Sequence, residues 1–341
     1  MLNTVYQLKA ARQFEVVLKD VELDNQHVLV RPTHLSICHA DQRYYQGTRP
    51  EAVLKEKLPM ALIHEGIGKV VYDPTGTFTV GEEVVMIPNH PSETDEVIGE
   101  NYLRSSKFCG SSKDGFMQEY VQLLPDRVVR LPKGIDKITA AFTEIVTVSY
   151  HAISRFIRFS HERREAIGVW GDGNLGYITS LLLKKMLPDC KIYIFGLNQQ
   201  KMDDFSFVDD TFLVSEIPAD LKLDHAFECV GGAGSGKAIS QIIDCIMPEG
   251  TISLLGVSED PVPVNTRMVL EKGLHFFGSS RSGRKDYEGL MRLYEENPDI
   301  PSYLENIVGT QFKVSNLKDI TNAFETDIHK LIGKTVMIWN E

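Results

Sequence analysis

Four residues that lie far apart along the chain carry side chains that bind transition metals: Cys38, His64, Glu65 and Glu144. A thiolate, an imidazole and a carboxylate together suit a tetrahedral Zn²⁺ ion, and a catalytic zinc site keeps one position open for water or substrate. By spacing alone, a buried cysteine and a hydrogen-bonded core histidine are the more common explanation for such residues. The four residues are therefore candidate ligands that need a fold to bring them together.

A second stretch has the pattern of a dinucleotide-binding loop. Residues 165–170 form an apolar run of strand length, residues 171–176 (Gly-Asp-Gly-Asn-Leu-Gly) form a glycine-rich turn, and the apolar residues after the turn recur at helical spacing. In such a loop the first glycine permits the tight turn, the second lets the backbone approach a pyrophosphate, and the third lets helix and strand pack closely. Amide N–H groups at the helix start then meet the phosphate charge. The residues expected to bind the cofactor here are Gly171, Gly173, Asn174, Leu175 and Gly176.

The bulk composition narrows the class of protein. A chain of 341 residues has room for two domains, and 43% hydrophobic and 24% charged residues are ordinary values for a globular protein. A net charge of −11 argues against general nucleic-acid binding. No apolar run reaches membrane-spanning length and the first residues lack a signal-peptide pattern, so we expect a cytoplasmic protein. The five scattered cysteines contain no CxxC pair, which disfavours a disulfide framework.

The hydrophobic periodicity predicts an α/β chain with two regions that differ in secondary structure. The first third reads as antiparallel β structure, with a polar turn at residues 36–41 and an irregular segment at 89–114. From about Thr139 helical runs alternate with short apolar runs, which predicts a parallel, doubly wound sheet. The closing strand, residues 333–339, has no parallel partner nearby in the sequence, and we expect it to rejoin the β unit.

Several of these segments together resemble the zinc-dependent medium-chain alcohol and polyol dehydrogenases, and the match covers nearly the whole chain. Residues 38–41 (Cys-His-Ala-Asp) resemble the family's cysteine-x-x-aspartate segment, 64–68 its GHExxG segment, 80–84 its GDRV turn, and 171–176 its cofactor loop. The resemblance implies two domains with the active site in the cleft between them. They are a GroES-like catalytic zinc domain, residues 1–144 plus 283–341, and an inserted Rossmann NADP(H)-binding domain, residues 145–282.

The resemblance also implies roles for individual residues. Zinc would be held by Cys38, His64 and either Glu144 or Glu65, and Asp41 would orient these ligands through hydrogen bonds. Tyr44 would lie near the substrate, as in the sorbitol dehydrogenase branch. The family further implies a homodimer.

Three departures from the family pattern affect the chemistry. Ile63 replaces the glycine that usually precedes the zinc-binding histidine, and Ala40 replaces the serine or threonine that relays the alcohol proton. Zinc-bound water, Glu65 and His39 remain as alternative proton routes. The four-cysteine lobe that holds a structural zinc is missing, because residues 89–114 contain only Cys109, so we expect one zinc per chain.

The choice of nicotinamide cofactor depends on the end of the second parallel strand. NAD-specific folds place an acidic residue there, about 20 residues after the glycine loop, to bind the ribose hydroxyls. Here residues 196–201 (Gly-Leu-Asn-Gln-Gln-Lys) contain no carboxylate, and Asn198 and Lys201 are positioned to meet a 2′-phosphate. The sequence therefore predicts NADPH, with Arg281 as a further candidate contact.

For the substrate, the resemblance narrows to the ribulose-5-phosphate reductases that supply ribitol 5-phosphate for teichoic acid synthesis. It implies reduction of a pentulose phosphate by NADPH and transfer of the product to a cytidylyltransferase. The alternative is another polyol dehydrogenase of the sorbitol or xylitol type. The basic residues that could bind the substrate phosphate are Arg43, Arg49, Lys57, Arg281 and Arg284.

Readings from other classes come from residues 231–238 (Gly-Gly-Ala-Gly-Ser-Gly-Lys-Ala). This segment matches the phosphate-binding GxxxxGK pattern of nucleotide hydrolases except at its last position, where Ala238 replaces the Ser or Thr that binds Mg²⁺. The dehydrogenase resemblance instead predicts a glycine-rich loop beside the nicotinamide ribose. A cofactor-binding sensor without catalytic activity is the third alternative.

Overall fold

The computed structural model describes residues 1–330 and 333–340. Strands and helices are numbered here in chain order. The strands are β1 (Leu2–Ala10), β2 (Gln13–Asp20), β3 (Val28–Ile37), β4 (Met60–Ala61), β5 (Glu65–Tyr72), β6 (Glu83–Met86), β7 (Asn89–His90), β8 (Lys107–Phe108), β9 (Val121–Leu123), β10 (Val128–Arg130), β11 (Ala166–Trp170), β12 (Lys191–Gly196), β13 (Asp210–Leu213), β14 (Leu223–Glu228), β15 (Ile246–Leu254), β16 (His275–Gly278), β17 (Val308–Val314) and β18 (Lys334–Trp339). The α-helices are α1 (His39–Tyr45), α2 (Glu51–Lys57), α3 (Lys137–Ala140), α4 (Thr143–Phe159), α5 (Asn174–Met186), α6 (Gln199–Met202), α7 (Ser235–Cys245), α8 (Thr266–Lys272), α9 (Arg284–Glu296), α10 (Ile300–Leu304) and α11 (Leu317–His329).

The chain forms two compact units. The first contains Met1–Thr147 and Ser282–Glu341, and the second contains Val148–Arg281. No helix in the described ranges is long and apolar enough to span a bilayer. All five cysteines are free thiols.

The first unit is built on a sheet in which β3 is central. Its strand order is β10–β6–β5–β3–β18–β17, with β9 also paired to β3, and a smaller sheet has the order β2–β1–β4. Both β5 and β18 run antiparallel to β3, with Glu65 opposite Ser36 and Thr335 opposite Ile37. This register brings the end of β3 next to the first residues of β5 and β18.

Three details of the first unit differ from the sequence prediction. The polar segment 36–41 does not form a simple turn but starts α1, because the Asp41 side chain accepts a hydrogen bond from the Cys38 backbone N–H (3.0 Å) at the helix start. The closing strand β18 rejoins the β unit as predicted, yet it also has a parallel partner, β17, which was not predicted. The segment 89–114, predicted to be irregular, contains the short antiparallel pair β7–β8.

The second unit contains the predicted parallel sheet. Its strand order is β13–β12–β11–β14–β15–β16, which is the order 3-2-1-4-5-6 of a dinucleotide-binding fold. Aromatic side chains on three adjacent strands stack across its centre. The Trp170 and Phe195 rings are 3.8 Å apart at 12°, and Phe195 and Phe212 are 5.5 Å apart at 19°.

The glycine spacing of the β11–α5 turn is required by backbone contact. Gly171 has φ +130°, a conformation that side chains other than glycine rarely adopt. A Cβ atom on Gly176 would lie 1.8 Å from the carbonyl oxygen of Gly171, so only glycine lets the helix approach the strand this closely.

His225 is a buried, neutral histidine in β14. Its Nε2 donates to the Arg163 carbonyl (3.0 Å) and its Nδ1 accepts from the Thr251 N–H (3.1 Å), an arrangement that uses both ring nitrogens of the neutral imidazole. Burial, with a smaller effect from His161, lowers the pKa of His225 to about 4. Protonation would therefore place a charge in the core and break the bond from Thr251.

We expect this histidine to make the second unit less stable in mild acid. Because the pKa of His225 is about 4 in the folded protein and near 6.5 in the unfolded chain, the unfolded chain takes up the proton first. The stability contribution is present above pH 6.5 and is lost as pH falls towards 4, with about 2 kcal/mol lost between pH 7 and pH 5. Urea unfolding followed by Trp170 fluorescence, in a Trp339→Phe background, measures it. The loss should be smaller in His225→Gln, and an equal loss in both proteins would contradict the assignment.

Candidate metal centre and cofactor site

Three of the predicted metal ligands come together in the first unit. The Cys38 sulfur, a His64 ring nitrogen and a Glu65 carboxylate oxygen all lie within 4.8 Å of one another. Cys38 directly follows β3, and His64 and Glu65 stand at the start of the neighbouring strand β5. A thiolate, an imidazole and a carboxylate that converge in this way fit a zinc ion with one position left for substrate.

Asp41 fixes the positions of these ligands through three contacts. Its Oδ2 accepts from the Cys38 N–H (3.0 Å), and its Oδ1 accepts from the Ile63 N–H (3.0 Å). Oδ1 also lies 3.4 Å from Nδ1 of His64, which leaves Nε2 of that ring for a metal. Although burial alone lowers it, the negative charges of Asp41 and Cys38 raise the pKa of His64 well above its usual value, which shows a local field that favours a cation.

Ile63, which precedes the histidine, has a strained backbone. Its φ is +71°, a value that is unusual for a β-branched residue. Hydrogen bonds hold it at both ends, because its N–H donates to Asp41 and its carbonyl accepts from the Phe116 N–H (2.7 Å). The residue that replaces the family's glycine is thus kept in a glycine-like conformation by its neighbours, at a cost of about 1–3 kcal/mol.

Glu65 forms a buried ion pair with a residue from the last strand. Lys334 donates a hydrogen bond to Oε1 of Glu65 (2.8 Å) and another to the Ile37 carbonyl (3.0 Å). Oε2 of Glu65 also lies 2.8 Å from the ammonium, but its alignment gives no hydrogen bond, so this oxygen is the one available to a metal. The side chains of Lys334 and Glu65 are 3% and 0% exposed.

Two other predicted residues lie outside this cluster. Among the described residues, Glu144 is not part of the group whose ligand atoms converge. It is buried, and the charges of His64 and Glu65 act on its carboxyl group. Burial, together with Glu65, raises the pKa of Glu144 to about 7. Tyr44 is 3% exposed, and its ring lies under the Arg49 guanidinium at 4.9 Å. A direct contact between Tyr44 and substrate stays a prediction.

The second unit has a cavity of about 250 Å³ beside the glycine loop. Its walls include Gly171, Asp172 and Gly173 from the loop and Leu197 after β12. A Cβ atom on Gly173 would meet nothing within 4 Å, so protein packing does not require a glycine there. A bound pyrophosphate that approaches the backbone would require one.

The three residues predicted to select NADPH do not line this cavity. Asn198 uses its side-chain oxygen to accept from the Lys201 N–H (3.3 Å) at the start of α6, and neither residue lines the cavity. Arg281 also lies outside its walls. Lys237, at the first turn of α7, does line the cavity, and it is the only cation among the lining residues. The sequence contained a signal for it, since it is the lysine of the GxxxxGK-like segment.

A carboxylate from the preceding strand binds the first amide of the GxxxxGK-like segment. The N–H groups of Val230 and Gly231 both donate to Oε1 of Glu228 (2.9 and 2.8 Å). The Gly231 amide is therefore not available to a phosphate, and Ala238 lacks the hydroxyl that binds Mg²⁺ in a nucleotide hydrolase.

Comparison with known proteins places these features in a family. The model of the alcohol dehydrogenase GroES-like domain matches residues 24–133, and that of the zinc-binding dehydrogenase matches residues 199–296. The ribulose-5-phosphate reductase of Bacillus spizizenii and ribulose-5-phosphate reductase 1 of Staphylococcus aureus are 57% and 56% identical over 339 residues, 99% of each chain. The crystal structure of S. aureus TarJ in complex with NADPH has a TM-score of 0.90 at 51% identity, covering 100% of both chains.

Asp41→Ala should weaken zinc binding about 10- to 100-fold, because the carboxylate orients His64 and fastens the backbone of Cys38 and Ile63. Competition with a chromophoric chelator measures the zinc affinity of purified protein, and circular dichroism checks the fold. Asp41→Asn, which keeps the shape and one acceptor oxygen, should fall in between. Asp20→Ala removes an exposed carboxylate from β2 and serves as the control. An unchanged zinc affinity in Asp41→Ala would overturn the role assigned to this residue.

Proposed function

The chain belongs to the zinc-dependent medium-chain alcohol and polyol dehydrogenases, and we propose that it reduces D-ribulose 5-phosphate to D-ribitol 5-phosphate with NADPH. The family predicted from the sequence is confirmed, and so is the fold class. The observation that carries the proposal is the convergence of Cys38, His64 and Glu65, in a chain that is more than half identical to ribulose-5-phosphate reductases along its length. Zinc and NADPH, both predicted from the sequence, are its cofactors.

Each proposed catalytic or ligand residue has a distinct task. When bound, zinc polarises the substrate carbonyl as a Lewis acid and NADPH supplies the hydride. Cys38, His64 and Glu65 would hold the metal, with Glu144 as a further proposed ligand, and Asp41 would orient His64 through its contact with Nδ1. Lys334 balances the charge of Glu65.

The cofactor is proposed to bind in the second unit. The loop from Gly171 to Gly176 would hold the pyrophosphate at the N-terminal end of α5, where backbone N–H groups and the helix dipole favour negative charge. Asn198, Lys201 and Arg281 remain proposed contacts, and we add Lys237 because its side chain lines the cavity beside the loop.

We assign residues 1–144 plus 283–341 to a catalytic zinc domain and residues 145–282 to an NADP(H)-binding domain.

The cellular setting is also a proposal. The product would pass to a ribitol-5-phosphate cytidylyltransferase for teichoic acid synthesis, and the enzyme would act as a cytoplasmic homodimer. Five free thiols are consistent with a reducing compartment.

The zinc-loaded protein should oxidise NADPH in the presence of D-ribulose 5-phosphate and form ribitol 5-phosphate. Because charge-assisted hydrogen bonds to a phosphate are strong, kcat/KM should exceed that for unphosphorylated D-ribulose by about 100-fold or more. Removal of zinc by a chelator should abolish turnover, and added zinc should restore it. Equal efficiency with the phosphorylated and unphosphorylated sugars would reject the proposed substrate.

Lys237→Ala should weaken NADPH binding about tenfold and leave NADH binding unchanged, because the lysine is proposed to meet the 2′-phosphate. Lys201→Ala should act in the same direction but less strongly, since Lys201 lies outside the cavity. Titration of nicotinamide fluorescence measures both affinities. Lys222→Ala, another exposed lysine of the same unit, is the control. Equal weakening of NADH and NADPH would contradict a role in phosphate selection.

A further inference from the structure

Two arginines lie close to the zinc ligand Cys38 in the sequence and in the fold. Helix α1 starts directly after Cys38, and at 1.5 Å per residue Arg43 lies about 7.5 Å further along the chain direction. The Thr48 N–H donates to the Arg43 carbonyl (3.0 Å), so the chain turns back at the end of the helix. This turn carries Arg49 over the Tyr44 ring, at 4.9 Å, where a cation–π contact orients its guanidinium.

Positive charges act on Arg43 and on His39, which lies one helical turn before it. Burial and the charge of Arg49 lower the pKa of Arg43. Burial and the charge of Arg43 lower the pKa of His39, and Lys330 and Arg49 act in the same direction. The charge of Asp327 acts against these cations by raising the pKa of His39, and this carboxylate accepts hydrogen bonds from Lys330 and from Gln42 (2.9 Å). In a chain with a net charge of −11, such a cluster beside the metal ligands favours a bound anion.

The other basic residues considered for the substrate phosphate are placed differently. Lys57 lines a separate cavity with Lys19 and Asp114. Arg284 donates to Glu288 (2.7 Å) and to the Pro125 carbonyl (3.1 Å). Arg281 belongs to the second unit. Of the five candidates, only Arg43 and Arg49 lie on the segment that directly follows Cys38.

We propose that Arg43 and Arg49 together bind the phosphate group of the substrate, an inference that rests on the proposed reduction of a pentulose phosphate. From the carbonyl carbon to the phosphorus, an extended five-carbon sugar phosphate measures about 6 Å with single bonds near 1.5 Å. That length is similar to the rise from Cys38 to Arg43. Guanidinium groups suit the task because their planar forks donate two parallel hydrogen bonds to phosphate oxygens. Tyr44 then acts as a positioning residue for Arg49.

Kinetics of Arg43→Gln and Arg49→Gln test this site. Each change should lower kcat/KM for D-ribulose 5-phosphate about 10- to 100-fold, mainly through KM, and change the value for unphosphorylated D-ribulose less than twofold. Arg43→Lys should recover only part of the loss, because it restores the charge without the fork. Lys57→Gln removes a cation from a separate cavity and should leave both values unchanged. Zinc content and NADPH affinity equal to those of the unchanged protein show that the variants are folded.

Calorimetry with ribitol 5-phosphate and inorganic phosphate separates this inference from the proposed function. Suppose that ribulose 5-phosphate is reduced, but the arginine variants lower kcat/KM equally for both sugars or do not lower it for either one. The phosphate site is then overturned and the proposed function stands. If ribulose 5-phosphate is not reduced, yet phosphate compounds bind and that binding is lost in the arginine variants, the site stands and serves another phosphorylated polyol. Binding that is unchanged in the variants overturns the site in either case.

Discussion

The carboxylate of Glu65 and the ammonium group of Lys334 form an ion pair that is almost completely buried. Removal of two charges from water costs several kcal/mol per ion, and their mutual attraction offsets this cost only when further partners are present. Oε2 of Glu65 has no hydrogen-bond partner among the described residues, so this oxygen is left for a metal. Lys334 reaches the Ile37 carbonyl as well, which ties the first residue of β18 to the last residue of β3. The position of Glu65 therefore depends on a residue that lies 269 positions later in the chain. This long-range pair joins the two parts of the first unit, between which residues 148–281 are inserted.

At the same metal centre, the strained backbone of Ile63 helps to position the ligand His64, which directly follows it. Ile63 holds a left-handed backbone that glycine would adopt without strain, and its N–H is bonded to the carboxylate that also contacts Cys38 and His64. Because the Ile63 side chain is fully buried, its packing can offset the strain. The replacement of glycine at this position thus exchanges backbone freedom for apolar packing without a change in the direction of the chain before His64.

Features that depend on interactions between residues close together in the sequence could be predicted, whereas those that depend on distant residues could not. The strand, turn and helix around Gly171–Gly176 were recognisable because their constraints are local, as the contact between Gly176 and Gly171 shows. The gathering of Cys38, His64 and Glu65 was predicted only through family resemblance, since sheet register decides it and register depends on distant pairing. Strand β17 was missed because its half-buried alternation includes polar residues. Segment 231–238 was expected near the cofactor from family resemblance, but a role for Lys237 was not predicted, because only the three-dimensional cavity shows that this side chain lies beside the loop of Gly171–Gly176.

Charge placement in the two units follows from an excess of acidic residues. With 47 acidic and 36 basic side chains, many cations of this chain are held in ion pairs. Examples are Lys184 with Asp209 and Arg130 with Glu82. Such pairs cannot meet an anionic ligand without losing a partner, and exposed cations are screened by salt. Binding of a phosphorylated molecule therefore depends on where the cations are placed more than on their number. Lys237 lines the cavity beside the glycine loop in the second unit, and in the first unit Arg43 lies on α1 while Arg49 stacks over the ring of Tyr44. Local arrangement, and not net charge, thus makes an acidic protein able to hold phosphate groups.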